Sequence, residues 1–133
     1  SKLVNYFNGD YAKSKIEEDL NKFLKKIKKD KKYFLSKKDV IFLEALKSDG
    51  IKISKKYQNL YKVNKSEMPS DIQRMIDNNE IGAALLRIIE VIGPEKIEDI
   101  DDDTVYFIIN TLNQLNTDLI RNKLLLKVLP LKV

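Results

Sequence analysis

Histidine, cysteine and tryptophan are all absent from this 133-residue sequence. The first two absences exclude a large part of enzyme chemistry. Without cysteine there is no disulfide scaffold, no thiol nucleophile and no thiolate metal site. Without histidine there is no imidazole ligand and no histidine-dependent catalytic triad. The four glycines, Gly9, Gly50, Gly82 and Gly93, stand isolated, so no glycine-rich loop can cradle a phosphate. Long apolar runs are missing too. The longest stretch without a charged residue is Thr104 to Thr117, fourteen residues broken by asparagine, threonine and glutamine. A membrane-spanning helix needs about 20 mostly apolar residues, so no membrane span is expected. Ser1-Lys2-Leu3-Val4 lacks the organisation of a signal peptide. A first residue other than methionine is what a processed protein, or a piece of a longer one, would show.

What is present points to a soluble globular chain. An apolar fraction of 43% is too high for a disordered tail, and a charged fraction of 34% is too high for a membrane protein. The length suits a single domain, 1–133, with one hydrophobic core. Charge divides it. Residues 1–65 hold 18 basic and 8 acidic side chains, a net of +10; residues 66–133 hold 7 and 12, a net of −5. Opposite signs bear on association and solubility rather than on fold. Only Arg74, Arg87 and Arg121 are arginine. A Lys-, Asn- and Ile-rich composition is also what an AT-rich genome produces, which discounts charge density taken alone.

Apolar spacing is helical throughout. Ile16, Leu20, Phe23, Leu24 and Ile27 recur at helical intervals and cover a stripe about 100° wide, as in a surface helix. Leu3, Val4 and Phe7 predict a short helix before the Asn8-Gly9-Asp10 turn. Ser36 and Asp39 predict a capping box ahead of Val40 to Lys47, with Asp49-Gly50 as its end. Tyr57, Leu60 and Tyr61 fit one or two helical turns. Met68-Pro69-Ser70-Asp71 is a stop and a new start, leading to Ile72, Met75 and Ile76. After Asn78-Asn79 a helix runs from about Glu80 to Ile92 and closes at Gly93-Pro94. Asp101-Asp102-Asp103 precedes the stripe Val105, Ile108, Ile109, Leu112 and Leu115. The last helix follows Asn116-Thr117-Asp118 and ends before Pro130. The expected fold is all-α: about seven short helices as antiparallel helical hairpins, solenoid-like or an irregular bundle.

Two helices are apolar beyond one face. Ile81, Ala84, Leu85, Leu86, Ile88, Ile89, Val91 and Ile92 spread over about 220°, which marks helix 80–92 as the expected central helix, covered on two sides. In the last helix Ile120, Leu124, Leu125, Val128 and Leu129 span about 180°. Such a helix either folds back into the core or presents a patch for another chain.

Tyr6, Gly9, Tyr11 and Ala12 sit around the first turn as aromatic and small residues do in tetratricopeptide-like repeats, although Leu20 stands where such a repeat wants a small residue. The stretch from Glu80-Ile81-Gly82-Ala83-Ala84-Leu85-Leu86 through Ile108, Leu112 and Leu115 to Arg121 and Leu126 resembles the C-terminal helical ends of long bacterial helical-repeat, α-solenoid proteins. The likeness covers the acidic half. It implies a scaffold segment with no activity attached, in the bacterial cytoplasm, or in the cell envelope if the chain is processed.

Three groups of residues are candidate sites. Ile120, Leu124 and Val128 are the expected partner-facing or repeat-stacking surface, for another protein, an adjacent repeat or a second copy. Lys25, Lys26, Lys28, Lys29, Lys31, Lys32, Lys37 and Lys38, with Tyr33 and Phe34 among them, could neutralise phosphates while the aromatics stack on bases. They also read as a solvated helix end complementing its dipole, and arginine, the usual reader of base edges, is missing from the cluster. Glu95, Glu98, Asp99, Asp101, Asp102 and Asp103 have neither the glycine nor the ligand spacing of a calcium loop; carboxylates in this place cap a helix. No catalytic, metal or cofactor site is expected. The expected function is a non-enzymatic interaction or scaffold module, with nucleic-acid binding through lysines 25–38 as the alternative.

Overall fold

A computed structural model describes residues 2–30, 35–60 and 68–129. These form seven α-helices and no strand among the described residues: α1 (Lys2–Phe7), α2 (Lys13–Lys29), α3 (Lys37–Ser48), α4 (Ser70–Asp77), α5 (Ile81–Ile92), α6 (Asp102–Gln114) and α7 (Asp118–Val128). Two 3-10 turns, Lys55–Leu60 and Ile97–Asp99, lie between them. Tyr61 and the segment 31–34 fall outside the described residues. The chain divides into two compact units, residues 1–64 with 129–133, and residues 65–128. The boundary coincides with the change in the sign of charge: the first unit is the +10 part and the second the −5 part.

In the first unit α3 is the central element. Val40, Ile41, Phe42, Leu43, Ala45 and Leu46 are all buried, so the helix is covered on more than one side. The capping box starts it: Asp39 N–H donates to Ser36 Oγ at 3.1 Å and Ser36 N–H donates to Asp39 Oδ2 at 3.0 Å. Gly50, at φ +91°, ends it in the left-handed conformation that a Cβ would strain. Tyr6 and Phe7 of α1, Ile16, Leu24 and Ile27 of α2, and Ile51, Tyr57 and Leu60 complete the core. Phe7 meets Phe42 with ring centroids 6.0 Å apart.

Segment 49–56 has no helix to satisfy most of its backbone groups, and α2 takes over that role. Lys13 Nζ donates to the Asp49 carbonyl at 2.8 Å, Lys52 N–H to Glu17 Oε2 at 3.1 Å, and Asn21 Nδ2 to the Lys52 carbonyl at 3.3 Å. Lys28 Nζ reaches the Lys56 carbonyl at 3.1 Å. Residues 13, 17 and 21 are one turn apart, and residue 28 returns to the same side about four turns on. This polar row borders the apolar stripe.

In the second unit α4 packs on α5 and α6, and α6 on α7. The most deeply covered helix is α6, with Val105, Tyr106, Ile108, Ile109, Thr111 and Leu112 buried. Asp101 caps it: its Oδ2 accepts from Thr104 N–H at 3.0 Å and its Oδ1 from Thr104 Oγ1 at 2.7 Å. The acidic run before this helix thus does what carboxylates do at a positive helix end. Asn79 and Asn116, at φ 60° and 56°, turn the chain between α4 and α5 and between α6 and α7.

The expectation that α5 is central is corrected. Only Ala84 and Ile88 are buried on it, while Ile81, Leu86 and Ile89 are exposed. Breadth of apolar surface states how much a helix could bury; the number of helices packed around it decides how much it does bury.

Candidate functional site

The described lysines of the 25–38 cluster lie on two helices. Lys25, Lys26, Lys28 and Lys29 are exposed along the last turns of α2, while Lys37 and Lys38 are half-buried in the first turn of α3. Lys31 and Lys32, with Tyr33 and Phe34, lie outside the described residues. Lys28 is already engaged with the Lys56 carbonyl and stands 5.9 Å from the centroid of the Tyr57 ring. That ties its charge to the fold of segment 49–56.

Between α1, α2 and α3 lies an apolar groove that sequence reasoning missed, about 240 Å3 in volume. Lys2 and Leu3 come from α1; Ile16, Asp19, Leu20 and Phe23 from α2; Asp39, Phe42, Leu43 and Leu46 from α3; Leu35 completes the lining. The α2 and α3 residues both follow the spacing i, i+3, i+4, i+7, so one amphipathic face from each helix makes the floor. The available signal was the α2 stripe itself. It reads as fully covered, yet Leu20 is half-buried and Phe23 is 48% exposed, which opens the groove to solvent.

Both carboxylates of the groove are committed. The Tyr11 hydroxyl donates to Asp19 Oδ2, and Lys2 Nζ lies 3.5 Å from Asp19 Oδ1. The Tyr11 bond first, then the Lys2 charge, holds the Asp19 carboxyl below the ordinary carboxylate range, and the same bond raises the Tyr11 hydroxyl above its own. Asp39 is the capping-box partner of Ser36. Beside the lining residues, Lys15 and Lys22 stand one turn from Asp19, Lys26 one turn from Phe23, and Lys38 one turn from Phe42. The groove therefore has an apolar floor and a predominantly basic border, on which Lys22 is paired with Glu18 at 3.0 Å.

On α5, Leu86 and Ile89 are each 63% exposed and one turn apart; half-buried Leu85 and exposed Gly82 share their face, with Ile81 at the helix start. Nothing lies within 4 Å of where a Cβ on Gly82 would point, so a neighbouring element can approach the backbone there. Glu80 precedes this face and Glu90 follows Leu86 by one turn. Arg87 is on the other side, bonded to Asp71 at 3.1 Å and Glu90 at 3.3 Å.

The surface expected on α7 does not form as one face. Ile120 is exposed, Leu124 half-buried and Val128 buried. The inward side is instead Arg121, Leu125 and Val128, at i, i+4 and i+7, which leaves Ile120 and Leu119 outside with Lys123 and Lys127 around them. Arg121 was legible only as a charge on an apolar helix. Its side chain is fully buried, donating from Nη2 to Asn122 Oδ1 at 2.8 Å and from Nη1 to Asn113 Oδ1 at 3.2 Å, with Asp118 Oδ1 at 3.7 Å.

No group of three or more acidic, histidine or cysteine residues among the described residues could hold a metal ion. No helix among them is long and apolar enough to cross a membrane. No family model, curated protein or solved structure matches this chain.

Proposed function

We propose that the chain is a non-enzymatic protein-interaction module, a helical scaffold that presents apolar helix faces to other polypeptides. The observation that carries this reading is the open face of α5, where Leu86 and Ile89 remain in water although both units bury well-packed cores elsewhere. Scattered exposed apolar residues are ordinary, but several on one helix face mark a surface that another chain covers. The groove between α1, α2 and α3 is smaller than the roughly 300–1,000 Å3 of small-molecule sites, which suits an inserted side chain better than a metabolite.

The test compares partner capture by the immobilised wild-type chain with capture by a Leu86→Asp, Ile89→Asp double variant of unchanged helix content. Specific partners retained by the first and lost by the second support the reading. Equal capture by both removes α5 as the binding face.

Nucleic-acid binding is the second reading, favoured by the exposure of Lys25, Lys26 and Lys29 along one end of α2. Titration of labelled DNA and RNA at two salt concentrations decides it. Phosphate contacts are strongest at low salt, so absence of binding there ends this reading.

A further inference from the structure

We infer that a second copy of this chain is a partner: the α5 face of one molecule seats in the α1–α2–α3 groove of another. The inference rests on the interaction-module reading and names its occupant. Three observations converge on it.

The first is shape. The groove is an apolar slot open to solvent and lined by three helices, a form that accepts an amphipathic helix through side chains one turn apart. Leu86 and Ile89 are such a pair, and Gly82 lets the helix backbone approach closely.

The second is local charge. The groove's own carboxylates are occupied, by Tyr11 and Lys2 at Asp19 and by Ser36 at Asp39, while lysines border it. Glu80 and Glu90 flank the α5 face, Glu90 sharing its charge with Arg87 at 3.3 Å. The other exposed apolar pair, Leu119 and Ile120 on α7, has Lys123 and Lys127 around it and would bring lysine against lysine.

The third is the charge of the units. Two copies of a +5 chain repel on average, but setting the −5 unit of one against the +10 unit of the other converts repulsion into attraction. Each molecule then carries one inserting face and one receiving face. Repetition of that pairing either closes on itself or propagates as a chain of molecules.

The experiment is sedimentation equilibrium of the wild-type chain over micromolar to millimolar concentration, at low and high salt. Two variants accompany it: Leu86→Asp with Ile89→Asp, which removes the inserting face, and Phe23→Asp, which puts a charge into the groove mouth. Both alter exposed side chains, and circular dichroism verifies that each folds. The expected result is association of the wild type that weakens with salt, with each variant weakened at least about tenfold, the equivalent of ~1.4 kcal/mol. Mixed together, the two variants restore a 1:1 complex, because one retains the groove and the other retains α5. A wild-type chain that stays monomeric throughout, a double variant that associates like the wild type, or a mixture that stays monomeric overturns the pairing. A monomeric wild type whose α5 face still captures other proteins overturns only the copy-to-copy pairing; loss of both overturns the interaction-module reading as well.

Discussion

The two units solve the same problem, covering one central helix, with different completeness. In the first unit α3 is enclosed, and the polar row on α2 ties down the segment that follows it. In the second unit α6 is enclosed to a similar depth, yet α5, the most apolar helix of the chain, keeps a broad face in water. The comparison separates two properties that hydropathy merges. A helix is central when other elements surround it, and an apolar face with too few neighbours in its own unit becomes a surface.

The largest expected effect breaks the second unit at its buried charge. Arg121→Ala leaves Asn113 and Asn122 facing a void and removes the partner of Asp118. Truncating a large buried side chain costs ~2–5 kcal/mol, and each buried hydrogen-bonding group left unsatisfied adds ~1–3 kcal/mol, so the urea midpoint should fall accordingly. Arg121→Met, which refills the volume without the charge, should lose less. If the two variants behave alike, the lost charge and hydrogen bonds rather than the lost volume dominate at this site.

The next comparison is direct, one truncation in each unit. Ile41→Ala in α3 removes a side chain that is almost wholly buried and should cost ~2–5 kcal/mol. Leu86→Ala in α5 removes one that is mostly in water and should stay within ~0.5 kcal/mol. Equilibrium denaturation of both measures the contrast. A large loss at Leu86 would mean that α5 is covered in solution by something stronger than the contacts within its own unit.

These residues also show how far the sequence is readable. The helices, the Ser36–Asp39 capping box, the turn at Gly50 and the acidic cap before α6 follow from local rules, since the groups that satisfy one another lie within a few positions. The groove does not follow from them. Phe23 and Ile27 share one stripe, and only the way other elements pack around α2 decides that the first is exposed and the second buried. Apolarity alone puts Val128 and Ile120 on one face, whereas the fold turns Arg121 inward between asparagines and leaves Val128 buried and Ile120 exposed. The polar row of Lys13, Glu17, Asn21 and Lys28 is not legible in the sequence because its acceptors and donors are backbone groups some thirty residues away. Contacts over such separations leave no local signature.

A smaller effect is expected at the cap of α6. Asp101→Ala should cost ~1 kcal/mol and Asp101→Asn only a few tenths, since asparagine caps nearly as well. Thermal unfolding distinguishes the two. The Thr104 hydroxyl, then its N–H, hold the Asp101 carboxyl below the ordinary range. A carboxylate lowered on folding stabilises above its ordinary value, and that contribution is lost as pH falls through the lower, folded value. The Asn variant should therefore lack this part of the acid sensitivity.

The smallest effect lies at the groove rim of the first unit, where Asp19 is lowered for a different reason. Its leading partner is a side-chain hydroxyl from across a turn, Tyr11, rather than a residue of its own helix cap. Tyr11→Phe removes that donor and leaves Lys2 in place, so the Asp19 carboxyl should titrate closer to the ordinary carboxylate value, as followed by its carboxyl carbon resonance against pH. The direction is fixed by the sign of the bond: a donor to the charged form lowers the pKa, and its removal raises it. Asp101 should not move in the same variant, because its donors belong to the other unit. No shift at Asp19 would mean that the rim charge is set by the lysines around the groove instead of by Tyr11, and a shift at Asp101 would mean that the substitution perturbs more than its own bond.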